Sequence, residues 1–237
     1  MKRLFFISLL FLVGDTCFAK SDSSVTVKSK LAIGISYSPT LDIYRYTYLG
    51  GISKYETDTE FGYGTRLGIN VEIPVCKKLV LSTGLYYNAK KSKYEIGVGY
   101  PFVGEKSLGY WALQKQYRIQ LLEIPLLIKY NVRYLNKMNI HLSGGASTNL
   151  LIREHVLFDD TGGELFEGTV YHESLLFSFS AIIAVGVDYH FSEKVTVSLQ
   201  PELINYFTAV SQERPGYQIQ RPKISTVALN LGAVYKF

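Results

Sequence analysis

The chain has 237 residues, a formal net charge of +5 and 19% charged residues, and its Lys and Arg are dispersed, which argues against nucleic acid as a partner. Beyond the N-terminal stretch, no apolar run approaches the roughly 18 residues a helix needs to cross a bilayer, so a membrane protein of this sequence would cross as strands. Aromatic content is 14%, with 19 Tyr and one Trp, and tyrosine suits membrane interfaces and binding loops alike.

Met1, Lys2 and Arg3 precede an apolar run from Leu4 to Val13, followed by Gly14-Asp15-Thr16-Cys17-Phe18-Ala19. That order predicts a secretory signal peptide over 1–19, with the mature domain over 20–237. A run of about 10 apolar residues is too short for a spanning helix. Lipidation at Cys17 is the rival reading, but Gly14-Asp15-Thr16 is unlike the apolar-small-small sequence expected before such a cysteine. Cys76 is then the one cysteine of the mature chain, and no intramolecular disulfide is expected.

Eight alternating segments follow. In the first, Leu31, Ile33, Ile35 and Tyr37 turn one way and Ala32, Gly34, Ser36 and Ser38 the other. The second is the most regular: Phe61, Tyr63, Thr65, Leu67, Ile69, Val71, Ile73 and Val75 oppose Gly62, Gly64, Arg66, Gly68, Asn70, Glu72 and Pro74. Period-two alternation means an extended strand with one apolar side, and about 15 residues is long for a soluble sheet. Its polar side carries glycines where a solvated face would carry Lys, Glu and Thr, as expected of a crowded barrel interior.

After a turn at Cys76-Lys77-Lys78, a third segment runs Leu79, Leu81, Thr83, Leu85, Tyr87 against Val80, Ser82, Gly84, Tyr86, Asn88. The fourth, Gln116 to Tyr130, ends with Leu122, Ile124, Leu126, Ile128 and Tyr130 outward and Glu123, Pro125, Leu127 and Lys129 inward. Tyr117, Ile119 and Leu121 lie on the other parity, and a bulge near Leu121-Leu122 is predicted to bring both apolar sets to one face. The fifth places Met138, Ile140, Leu142, Ala146, Thr148 and Leu150 outward, the sixth alternates from Phe177 to Tyr189, the seventh from Val195 to Phe207, and the eighth from Val227 to Phe237.

Short turns near 76–78, 131–137 and 191–194 alternate with long connections near 39–60, 91–115, 153–174 and 208–222. This predicts an all-β, eight-stranded, antiparallel up-and-down transmembrane barrel with short periplasmic turns and long extracellular loops. Aromatics at both ends of the outward faces agree: Tyr37, Phe61, Tyr63, Tyr87, Tyr117, Phe177, Phe179 and Phe207 at one end, Tyr130, Tyr189, Phe191, Tyr235 and Phe237 at the other.

The strand Leu122-Glu123-Ile124-Pro125-Leu126-Leu127-Ile128-Lys129-Tyr130 resembles the most recognisable strand of the PorT-like outer-membrane β-barrel proteins of Gram-negative bacteria. Gly68 to Tyr94, through Glu72-Ile73-Pro74 and Leu81-Ser82-Thr83-Gly84-Leu85-Tyr86-Tyr87, is similar to the same family, as is Gly144-Gly145 leading to Leu150-Leu151. The resemblance spans about Val25 to Phe237 and implies an eight-stranded barrel in the outer membrane. The founding member is associated with protein secretion. Alternate apolar residues ending at Tyr235 and Phe237 resemble the signal read by the barrel-assembly machinery, an expected partner during biogenesis alongside outer-membrane lipid.

The inward charges Arg66, Glu72, Glu123, Lys129, Asp188 and Glu202, with His141, His190 and Lys236, are expected to form a structural network of paired charges, because eight strands leave room only for side chains. A selective pore or proton path is the alternative. His141-Leu142-Ser143 resembles the His-x-Ser element of lipid A deacylases, but both residues face inward just after a periplasmic turn and no matching carboxylate follows at that family's spacing, so no enzyme is expected. His141, His190, His155 and His172 form no ligand-spaced cluster, and neither metal nor other cofactor is expected. Tyr44, Tyr46, Tyr48, Tyr100, Tyr110 and Trp111 crowd the first two long loops as candidate contacts for an envelope protein or extracellular ligand; interface anchoring is the alternative. The sequence thus points to an outer-membrane structural or binding protein, with a secretion or envelope-assembly component and a narrow pore as further readings.

Overall fold

The computed structural model describes residues 31–50, 54–98, 111–159, 165–170, 177–207 and 223–237, with 46–50, 54–58, 94–98, 111–115, 117, 156–159 and 165–170 described by backbone alone. The signal peptide expected at 1–19 and the 208–222 connection lie outside them.

Nine strands form one antiparallel sheet: β1 (Ala32–Gly50), β2 (Lys54–Pro74), β3 (Leu79–Val98), β4 (Trp111–Leu135), β5 (Met138–Asp159), β6 (Leu165–Val170), β7 (Phe177–His190), β8 (Val195–Tyr206) and β9 (Lys223–Lys236). Neighbours in sequence pair with one another except β6 with β7, β1 pairs with β9, and β4 pairs with β5, which closes the ring. Strands β6 and β7 share one place in it: β5 pairs with β7 over Met138–Leu150 and with β6 over Glu154–Asp159. The result is a closed eight-stranded barrel. Closure leaves no unpaired edge in the wall, which is the condition for strands to sit in lipid.

The alternation read from the sequence is the alternation of the wall. On β7, Ile183 is 67% exposed and Ile182 fully buried; on β4, Leu126 is 59% exposed and Glu123 fully buried. Large apolar side chains face out and polar ones face in, the reverse of a soluble fold. Aromatics are exposed at both ends of this band, among them Phe61, Tyr63, Phe177 and Phe207 at one and Tyr189, Phe191, Tyr235 and Phe237 at the other. Ile183→Arg should therefore cost about 2–4 kcal/mol of stability in vesicles, as a cation near mid-bilayer does. Urea titration of the protein folded into vesicles measures it, and an unchanged midpoint would place this face in water.

Connections at one end are tight. Val75 N donates to Leu79 O at 2.9 Å, Asn136 takes the left-handed φ of 43° in its turn, a conformation Asn tolerates, and Ser192 Oγ accepts from the backbone of Lys194 and Val195. At the other end the strands run on. Much of what the sequence suggested were loops at 39–60, 91–115 and 153–174 is strand, since β1 reaches Gly50, β2 starts at Lys54, β3 reaches Val98 and β5 reaches Asp159. Tyr, Thr and Ile recur there, and these residues favour strands even where hydropathy is low. A tilted strand spans a bilayer with about 9–11 residues, so β1 to β5, of 19 to 25 residues, project well past it.

The bulge expected near Leu121-Leu122 is not on β4. Ile119 and Leu121 are buried in the same inward series as Glu123 and Pro125. The register shift beside them, where Gln120 pairs with Arg153 and Leu121 with Leu151, leaves Ile152 as the extra residue on β5. A second shift leaves Val132 extra on β4. Ile119 and Leu121 break the outward pattern because they pack inside, with Tyr44, Leu151, Ile182, Ile204, Tyr206 and Ile224.

Candidate functional site

Alternation sends every second residue of eight strands into a space that only side chains can fill. Toward the hairpin end, the apolar group around Tyr44, Ile119, Leu121 and Ile224 occupies it. Polar tiers fill the rest.

The first tier joins Asp42 of β1 and Lys90 of β3 in a fully buried ion pair, and both also bond to Thr226 of β9. The middle tier centres on Arg66 of β2. Its Nε and Nη2 donate to Glu123 of β4 at 3.1 and 2.8 Å, and its Nη1 to Glu202 of β8 at 2.8 Å. The guanidinium lies 3.9 Å from the Tyr86 ring centroid, and that ring sits against Gly68, where a Cβ would run into it. Planar stacking and a bidentate fork need Arg rather than Lys. Two carboxylates against one guanidinium leave excess negative charge, which neutral donors offset: Asn88 Nδ2 to Glu123 at 3.3 Å, Gln200 Nε2 and Asn230 Nδ2 to Glu202 at 3.0 and 2.8 Å.

The third tier lies toward the short turns. Lys129 Nζ bridges Glu72 at 3.1 Å and Asp188 at 2.8 Å. His141 stands 3.4 Å from Asp188 through Nδ1 and 3.0 Å from Gln200 Oε1 through Nε2, and Gly186 leaves the space its ring occupies. This tier borders a recess of about 320 Å³ at the barrel's short-turn mouth, lined among others by Glu72, Cys76, Lys129, Asp188, His190 and Lys236.

All six lumen charges named from the sequence therefore face inward, and the structure brings them into two clusters: Arg66 with Glu123 and Glu202, and Lys129 with Glu72 and Asp188. Asp42 and Lys90 add a further buried pair beyond those six. Both continue the inward parity of Ser38 and Thr40, and of Tyr86 and Asn88, so the signal was there one turn of the alternation further on.

Of the candidate loop contacts, Tyr44 needs correction: it is 1% exposed and packs inside the barrel, because β1 continues through it rather than ending at residue 38. Tyr46 and Tyr48 pair with Asp58 and Glu56 in the β1–β2 hairpin, and Trp111 pairs with Val98; their side chains, like Tyr100 and Tyr110 altogether, lie outside the described residues. Tyr235 and Phe237 both project outward, their rings edge to face at 5.2 Å. His141 and Ser143 are both buried among lumen side chains, and Asp188 supplies a carboxylate 3.4 Å from His141 Nδ1.

A family model described as outer membrane protein beta-barrel domain matches residues 21–207. Among solved structures, the chain is similar to Neisserial surface protein A, with 14% identity over 85% of this chain and 97% of that one, at a TM-score of 0.41. It is similar to the outer membrane protein OprG of Pseudomonas aeruginosa, with 14% identity, 89% and 97% coverage and a TM-score of 0.43. It is also similar to the outer membrane protease OmpT of Escherichia coli, with 11% identity, 92% and 99% coverage and a TM-score of 0.45. No curated protein matches the sequence.

Proposed function

We infer the role of this chain from its family: it belongs to the outer membrane protein beta-barrel domain family, and its barrel serves as a non-enzymatic anchor that displays the long hairpins for binding. The signal peptide exports it in a Gram-negative cell, the short turns face the periplasm, and Tyr235 and Phe237 engage the assembly machinery. The observation that carries this reading is the filled interior. Arg66, Glu123 and Glu202 are almost entirely buried across the barrel, and the apolar group from Tyr44 to Ile224 lies beyond them. A wall that conducts nothing leaves the projecting strands as its working surface, and the sequence of the first two long connections, with Tyr46, Tyr48, Tyr100, Tyr110 and Trp111, is of the composition that supplies contact area at low entropic cost.

The purified barrel in a planar bilayer should show no stable open conductance; steady unitary currents would establish the narrow pore instead. Crosslinking in cells should capture an envelope or extracellular partner that is lost when residues 96–112 are removed while the barrel still folds. A partner retained by that deletion would shift the role to the periplasmic mouth. The secretion or envelope-assembly reading draws on the PorT-like motifs, Leu122 to Tyr130 above all, and on the recess that opens beside Lys129 and Asp188.

A further inference from the structure

The outward face of the wall changes character abruptly on three neighbouring strands. Across β2 to β5, ladder partners Leu67, Tyr87, Leu122 and Leu150 form one outward row of the apolar band. The next row toward the hairpin end is Thr65, Ala89, Gln120 and Arg153, and the one after it Tyr63, Lys91, Arg118 and His155. Lys93 follows on β3, paired with Gln116. Lys91, Lys93, Arg118 and Arg153 are all exposed, and none is in an ion pair among the described residues. The acids that share this parity among the described residues, Glu95 and Asp159, stand two rows beyond Lys91 and Arg118, both in register with Gln114, and Glu154 is turned in and buried.

The patch is not a general property of the rim. On β7 and β8 the hairpin end of the band carries exposed Phe177, Phe179 and Phe207; β1 and β9 contribute only the ladder partners Arg45 and Lys223. Between β2, β3 and β4 the patch includes a shallow outward groove of about 350 Å³ lined by Tyr63, Thr65, Lys91, Arg118 and Gln120. Surface lysines and arginines normally meet carboxylates or water. Arg153 stands one row, Lys91 and Arg118 two rows, and Lys93 three rows beyond side chains that face hydrocarbon, which is the depth of lipid headgroups.

The geometry points to a binding site for the phosphorylated headgroup of a lipid in the leaflet at the hairpin end, with its acyl chains against Leu67, Tyr87 and Leu122. Arg118 and Arg153 provide planar forks for phosphate oxygens, Lys91 a mobile point charge, and Tyr63, 74% exposed, a hydroxyl donor. The occupant must be anionic at the headgroup and anchored below it. A soluble anion satisfies only the first condition, and a neutral lipid only the second.

The test places the barrel in neutral phosphatidylcholine nanodiscs and titrates it with fluorescent lipid A carrying two phosphates. The wild-type protein should retain this probe in preference to the fully dephosphorylated form. Lys91→Gln/Arg118→Gln/Arg153→Gln should weaken retention about tenfold or more, given the attraction of each cation near an anionic surface. Lys91→Gln and Arg118→Gln alone should fall between, which decides the matter if the triple variant does not fold by heat-modifiable gel mobility. Lys77→Gln/Lys78→Gln, at the opposite end, should bind as wild type. Equal retention by the folded patch variants, or equal retention of the dephosphorylated lipid, would overturn the proposal. Displacement by inorganic phosphate at matching concentration would do so as well, assigning the patch to a soluble anion.

Discussion

Arg66→Met should destabilise the barrel by about 3–5 kcal/mol, the usual cost of leaving a buried charge without its partner. Two carboxylates depend on this guanidinium: Glu123 loses both charge-assisted bonds from it, and Glu202 its bond at 2.8 Å. Neither can turn to water, since both side chains are essentially unexposed. Asn88, Gln200 and Asn230 still donate to them, but neutral donors do not replace a cation. Arg66→Lys should recover only part of the loss, since a single ammonium cannot serve three bonding directions and also stack on Tyr86. By contrast, Arg66→Met/Glu123→Gln/Glu202→Gln removes the charges together and should come back close to wild type. Urea midpoints in vesicles, with melting followed by gel mobility, give the ordering. An Arg66→Met midpoint equal to wild type would mean that the middle tier contributes nothing to stability.

How far the sequence reached into this interior depends on what alternation encodes. Period two assigns each residue to a face, so Arg66, Glu123, Lys129 and Glu202 could be placed inside from their neighbours alone. It does not say which of them meet. Arg66 and Glu202 are 136 positions apart, and their encounter depends on strand order and on the stagger accumulated around the ring. Hydropathy also misplaced the upper wall. It ends the strands where their outward residues stop being apolar, which puts Tyr44 and Asp42 in a loop; lipid leaves the wall there, but strand pairing does not. The same assumption, that apolar means outward, made Ile119 and Leu121 look out of phase. They are in phase with Glu123, and the interior beside them is apolar. The cationic rows split across the same boundary: Lys91 follows the alternation faithfully but lies where hydropathy begins a loop, while Arg118 lies inside the fourth segment on the parity of Gln120 and Leu122, and only the register brings the two together.

Lys90→Met should be about as damaging as the loss of Arg66, again about 3–5 kcal/mol, and for a more local reason. Asp42 is fully buried and would keep only hydroxyl partners, Thr226 and, at 3.5 Å, Thr40. Asp42→Asn/Lys90→Met, which removes both charges and keeps the volume, should restore most of the stability. The pair also binds β3 to the seam where β1 meets β9, so the single variant should lose its heat-modifiable mobility at lower temperature than variants of equal stability elsewhere. The two tiers are not independent. Lys90 lies 5.1 Å from the Tyr206 ring centroid, the Tyr206 hydroxyl accepts from Asn88, and Asn88 donates in turn to Glu123. Arg66→Met and Lys90→Met combined should therefore depart from the sum of the single effects by more than about 0.5 kcal/mol, the range within which separated sites add. Strict additivity would show that Tyr206 and Asn88 fill space between two separate networks and do not link them.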